Sequence, residues 1–120
     1  MHEQSLVRSL LTQVEELKSK YRAVTVDSVT VEIGPLSGVE AELIEIAYKQ
    51  LAPLRFPNRP RLVVQIVPLQ VRCQACGRQS QIPDLQMTCR ECGSVRVHIT
   101  SGDEFRLIDV DMQVPAQQTI

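Results

Sequence analysis

Four cysteines constrain the fold of this chain more than any other residues. They stand as two matching pairs, Cys73-x-x-Cys76-Gly77 and Cys89-x-x-Cys92-Gly93, and the chain has no others. Two such knuckles, with twelve residues between Cys76 and Cys89, can share one ion on a short hairpin. Four thiolates so placed are the donor set of a tetrahedral zinc site. The glycine closing each pair fits this reading, because a knuckle folds its backbone back through positive φ, which glycine adopts without a Cβ clash. A site with all four positions taken by protein is structural rather than catalytic. Zinc therefore explains why this stretch folds, and the function of the chain must be sought elsewhere.

Composition narrows the classes. At 120 residues, 43% hydrophobic and 22% charged, the chain reads as one globular domain or a small domain with a metal-stapled appendage. Tyr21, Tyr48, Phe56 and Phe105 are the only aromatics, so the core is aliphatic. The longest apolar run, Leu62 to Val71, contains Gln65, Pro68 and Gln70 and is too short to span a bilayer. The N-terminus lacks the basic-then-apolar order of a signal peptide. A cytoplasmic location with no membrane partner is expected, where thiols stay reduced and CxxC pairs bind metal. The net charge of −1 hides an asymmetry: residues 55–98 carry seven arginines against Asp84 and Glu91. Zinc with four thiolates carries two negative charges, so Arg72, Arg78 and Arg90 beside the ligands are candidates to neutralise it.

Periodicity sets the organisation. Residues 4–20 place Leu6, Val7, Leu10, Leu11, Val14 and Leu17 on one stripe at helical spacing, so an amphipathic helix begins almost at the first residue. From Val24 to Ile33 the period becomes two, which is a strand. Gly34-Pro35-Leu36 ends it, and Ser37-x-x-Glu40 reads as a capping box opening a second helix through Val39, Leu43, Ile46, Ala47 and Leu51. Pro53, Pro57 and Pro60 are expected to keep the next stretch irregular. Leu62 to Val67 is a second strand, and its helical crossover predicts parallel pairing with the first. The zinc segment follows, with a return strand at Val95, Val97 and Ile99. Ser101-Gly102-Asp103 turns the chain into a last strand, Glu104 to Met112. The expected fold is α+β: two helices on a small mixed β-sheet with an inserted zinc ribbon. Residues 1–70 plus 101–112 would form the α/β domain, 71–100 the ribbon and 113–120 a frayed tail.

A second metal chemistry lies at the start. Histidine is a large second residue, so the initiator methionine of Met1-His2-Glu3 should be retained and present a free α-amine. The amine of Met1, the backbone nitrogen and imidazole of His2, and the amide or carboxylate of Glu3 then stand in chelating order. Fused five- and six-membered chelate rings of nitrogen donors suit Ni(II) and Cu(II), which prefer tetragonal fields and displace an amide proton. An isolated histidine at position 2 is otherwise an ordinary solvated residue. Amines and imidazoles bind metal only when deprotonated, so such a site should empty on mild acidification.

Several stretches together resemble the HypA/HybF family of nickel metallochaperones for [NiFe]-hydrogenase maturation. These are Met1-His2-Glu3 before an amphipathic helix, Val31-Glu32-Ile33-Gly34-Pro35-Leu36-Ser37-Gly38-Val39, Ala47-Tyr48-Lys49, the two CxxCG knuckles and Gly102-Asp103-Glu104. The resemblance runs from residue 1 to about 112. It implies that His2 is the essential nickel ligand, supported by Met1 and Glu3, and that Cys73, Cys76, Cys89 and Cys92 hold structural Zn(II). It also implies a nickel-insertion GTPase and the hydrogenase large-subunit precursor as partners, with urease a further recipient in some members. Family members often carry proline where this chain has Arg90, a departure that leaves the ligand spacing intact.

Other readings compete. A zinc-ribbon protein- or nucleic-acid-interaction module would use the arginines, but the acidic net charge and the lack of aromatic platforms in the ribbon argue against nucleic acid. An electron-transfer or dithiol role is conceivable for four thiolates, although each knuckle closes on glycine rather than opening a helix. No nucleophile–histidine pairing, phosphate loop or HExxH motif is present, so the expectation is not an enzyme. His98 alternates against Val97 and Ile99 and is expected to face solvent. The chain could act as a monomer or homodimer.

Overall fold

The computed structural model describes residues 2–115. It contains helices α1 (His2–Lys20) and α2 (Ala41–Arg55) and strands β1 (Thr25–Ile33), β2 (Arg61–Ile66), β3 (Leu69–Cys73), β4 (Gln79–Ile82), β5 (Val97–Ser101) and β6 (Phe105–Gln113). This is the expected α+β class. The strands divide between two three-stranded sheets, ordered β2-β1-β6 and β4-β3-β5. By its internal contacts the chain forms two compact units. Among the described residues, 2–31, 40–64 and 107–115 make the first, and 32–39 with 65–106 make the second.

In the first unit, the stripe read from sequence buries Val7, Leu10, Leu11 and Val14 of α1. Helix α2 buries Ile44, Ala47, Tyr48 and Ala52, and β1 contributes Val26, Val29 and Val31. The helices pack on one another, and Arg55 clasps them, its guanidinium donating to Thr12 Oγ1 (2.9 Å) and Glu15 Oε1 (2.8 Å). Helix α1 ends without glycine. Ala23 N–H donates to Lys18 O (2.9 Å) and Arg22 N–H to Ser19 O (3.2 Å), with Arg22 left-handed at φ 52°. This is a Schellman closure carrying arginine at the position that favours glycine.

Helix α2 departs from expectation at both ends. It starts at Ala41, and Glu40 at its cap makes no side-chain capping bond. Ser37 instead closes the preceding turn: its hydroxyl donates to Gly34 O (2.7 Å) and accepts from Val39 N–H (3.3 Å). The capping-box pattern was thus satisfied by a serine turn, which offers the same hydroxyl the same kind of local partner. At the other end the helix runs through Pro53 to Arg55. Pro53 stands in the last turn, two residues from the helix end, and withholds the N–H that would reach the Lys49 carbonyl.

The second unit is built on antiparallel pairing. Leu69 faces Ile82 and Arg72 faces Gln79 across β3 and β4, while β5 lies on the other side of β3 with Cys73 opposite Val97. Leu69, Val71 and Ile82 form its buried cluster, with Met87 and Val97 packed against it. Strands β3 and β4 were not foreseen inside the zinc segment. Two glycines bring main chain against main chain here. A Cβ on Gly34 would lie 2.1 Å from the Gly102 carbonyl oxygen, and one on Gly102 would lie 2.6 Å from Leu69 Cα. Gly34 N–H donates to Glu104 O (3.0 Å) and Leu36 N–H to Gly102 O (2.9 Å), locking that approach.

Candidate metal centre

The first knuckle is the turn between β3 and β4. The second lies between β4 and β5, and pairing of β5 with β3 sets it beside the first. The two are built alike, bond for bond. Cys73 N–H donates to Arg78 O and Cys89 N–H to Ser94 O, while Gly77 N–H donates to Cys73 O and Gly93 N–H to Cys89 O, all at 2.8–2.9 Å. Gly77 and Gly93 sit at φ 77° and 76°, the positive values expected for a knuckle. Backbone N–H groups point at the leading sulfurs: Ala75 and Cys76 at Cys73 Sγ (3.3 and 3.4 Å), and Glu91 and Cys92 at Cys89 Sγ (both 3.4 Å).

The four sulfurs lie within 4.8 Å of one another and none is bridged. Cys73 Sγ to Cys92 Sγ and Cys76 Sγ to Cys89 Sγ are both 3.6 Å. A tetrahedron of thiolates at zinc–sulfur bonding distance has edges of roughly 3.8 Å, so the donor set fits zinc. Zinc bound there would cross-link β3 to the chain before β5. The donated hydrogen bonds favour thiolate at the leading positions. The Cys92 N–H, followed by that of Glu91, brings the Cys89 thiol down to about 6, and the Cys76 N–H lowers Cys73. Their partners go the other way. Cys92 rises to about 11: the Ser94 N–H opposes this but is outweighed by the Cys73 thiol and desolvation.

Among the described residues no arginine side chain hydrogen-bonds a sulfur. Arg78 pairs with Glu91 (3.5 Å) and Arg90 with Asp84 (2.6 Å), while Arg72 is exposed on β3. Hydrogen bonds to sulfur come from the main chain, and nothing in side-chain composition signals them. His98 is exposed on β5, as read, with its ring against the Gln74 amide.

At the other candidate site, His2 is the first residue of α1 and is exposed, and Glu3 is half-buried in the first turn. The Ser5 hydroxyl donates to His2 O (3.0 Å). Met1, expected as a supporting ligand, lies outside the described residues.

A closed four-thiolate centre with both knuckles hydrogen-bonded alike defines a small zinc-structured metalloprotein, whose zinc has no position open for chemistry. Residues 1–112 match the family described as hydrogenase/urease nickel incorporation, metallochaperone, hypA, and the chain belongs to that family. It is a nickel metallochaperone of hydrogenase maturation. The hydrogenase maturation factor HypA of Nitrosospira multiformis is 39% identical over 112 residues, 93% of this chain and 97% of that protein. Its counterpart in Aquifex aeolicus is 37% identical over 114 residues, covering 95% and 99%. The solution structure of the Ni metallochaperone HypA from Helicobacter pylori superposes with TM-score 0.71 at 27% identity, covering 94% of this chain and 98% of that one. Among the described residues no helix is long and apolar enough to cross a membrane.

Proposed function

We propose that the chain carries Ni(II) at its N-terminus, through the Met1 amine, the His2 amide nitrogen and imidazole, and Glu3, and delivers it in the cytoplasm without catalysis of its own. The observation that carries this reading is the place of His2. As the first residue of α1 it is exposed, and the first N–H groups of a helix have no acceptor within the helix. Nickel can therefore displace the His2 amide proton without breaking a helical hydrogen bond. The positive end of the helix dipole opposes a bound cation, and the nearby Glu3 carboxylate offsets it. A site open on the surface also suits a metal that must be released.

In this reading the recipient is the hydrogenase large-subunit precursor, with urease a further one, and a partner GTPase supplies the nucleotide step that this chain has no motif to perform. Divided by the metal they serve rather than by compact unit, residues 71–100 are the zinc ribbon and 1–70 plus 101–112 the nickel-binding part. The test is calorimetric nickel titration of untagged, zinc-loaded protein beside His2→Ala and a version with one added N-terminal glycine. One nickel bound by the native chain, none by His2→Ala and weakened binding by the extended chain are expected. Equal binding by native and His2→Ala proteins removes His2 from the mechanism.

A further inference from the structure

The first unit holds a groove that neither metal uses. It has a volume of about 660 Å³ and lies where α2 faces the chain entering β2. Lys49, Arg59, Arg61 and Glu45 line it over a floor that includes Tyr48 and Pro60. The floor is fixed. Tyr48 is 5% exposed and its hydroxyl donates to Pro60 O (2.8 Å), and the same burial pushes the phenol up to about 12, keeping it a donor. Three cations face one carboxylate. Among the described residues none of the three has an ion-pair partner, whereas Arg55, Arg78, Arg90 and Arg106 each do. Arg59 also sits at φ 55°, in the left-handed region that favours glycine.

The strand leaving the groove supplies a second, independent observation. Strand β2 is an edge of its sheet, and its sequence Arg-Leu-Val-Val-Gln-Ile has no charge or proline after Arg61. The opposite edge, β6, carries exposed Asp109 and Asp111, the kind of charge that deters an incoming strand. One edge is guarded and the other is open, and the open one begins among unpaired cations.

We propose that the groove and the edge of Arg61–Val64 bind an extended acidic segment of a partner protein. The segment adds as a strand beside β2, with its carboxylates toward Lys49, Arg59 and Arg61. Main-chain hydrogen bonds give strand addition its affinity, and the charges select the partner and its direction. The groove offers no exposed aromatic surface for base stacking, which favours an acidic peptide over nucleic acid. The proposal stands on residues of the first unit and is independent of nickel at the N-terminus.

The probe is the capped peptide Glu-Val-Glu-Val-Glu-Val-Glu, titrated into isotope-labelled, zinc-loaded protein at low salt and followed by amide chemical shifts. Shifts centred on 45–53 and 59–64 are expected, with affinity falling about tenfold or more at high salt and in the double variant Lys49→Glu/Arg61→Glu. All three cations are exposed, so these variants should fold, which circular dichroism checks. Arg8→Glu on α1 should bind as the native chain does. Shifts elsewhere, unchanged binding by the double variant, equal binding of the lysine counterpart peptide, or tighter binding of oligo-dT at the same residues would each overturn the proposal. Methylating each alternate set of peptide N–H groups in turn should abolish binding for the set that faces β2, and binding retained by both methylated peptides refutes strand addition.

Discussion

Replacing Gly34 by alanine should be among the most damaging single-methyl changes available to this chain. The new Cβ would stand 2.1, 2.2 and 2.5 Å from the oxygen, carbonyl carbon and Cα of Gly102, where ordinary contact needs 3.4 Å or more. All three are main-chain atoms, so no rotamer change relieves the clash. Gly102 is itself hemmed in, since a Cβ built on it would be 2.6 Å from Leu69 Cα and 2.8 Å from Pro68 O. Separation must loosen the bonds from Gly34 N–H to Glu104 O and from Leu36 N–H to Gly102 O. Two such bonds contribute about 1 kcal/mol each, and forced overpacking adds roughly 1–3 kcal/mol. The reduced freedom of alanine in the unfolded chain returns less than about 1 kcal/mol, so the expected loss is about 2–5 kcal/mol. Gly38→Ala is the control: its φ is 74°, but a Cβ there meets nothing within 4 Å, so the only cost is backbone strain of about 1 kcal/mol. Urea unfolding of zinc-loaded proteins, followed by circular dichroism because tryptophan is absent, measures both. If Gly34→Ala costs no more than Gly38→Ala, the close-approach argument is wrong.

Cys73→Ala removes one of four zinc ligands together with the sulfur that accepts two N–H bonds, so zinc content by native mass spectrometry should collapse and β3–β5 amides should lose exchange protection; retained zinc would refute the four-cysteine centre. On acidification, nickel should dissociate before zinc, because protons compete with nickel for its nitrogen donors while the four thiolates enclose their metal; simultaneous loss of both in a pH titration would count against separate sites. Arg22→Gly should stabilise the protein by about 0.5–1 kcal/mol in thermal unfolding, since it relieves a left-handed residue in an otherwise complete Schellman closure, and a lower melting temperature would show that the arginine side chain matters there.

Local patterns read well from this sequence, and close approaches between distant segments did not. The stripe from Val7 to Val14, the alternation at Val29, Val31 and Ile33, and the glycines closing both knuckles all express rules that act within a few residues. Ser37-x-x-Glu40 misled because a serine turn and a helix cap use the same hydroxyl on the same neighbouring N–H groups, and only the fold decides between them. Pro53 misled because a proline two residues from the helix end costs the bond to Lys49 O without stopping the turns before it. The meeting of Gly34 with Gly102 was invisible, since each glycine alone reads as a turn. At the zinc centre the ligands were legible, but the hydrogen bonds that favour thiolate come from backbone N–H groups, which any residue supplies.

Helix α1 begins at His2. Groups at the start of a helix have a compass bearing as well as a reach. One residue inserted after Glu3 would swing everything ahead of it by about 100° and advance it about 1.5 Å. Seven inserted residues, about two full turns, would restore the bearing while adding roughly 10 Å of length. On the nickel reading, a receiving surface must then meet the terminus in one helical phase, and delivery should vary with insert length as a wave rather than a steady decline.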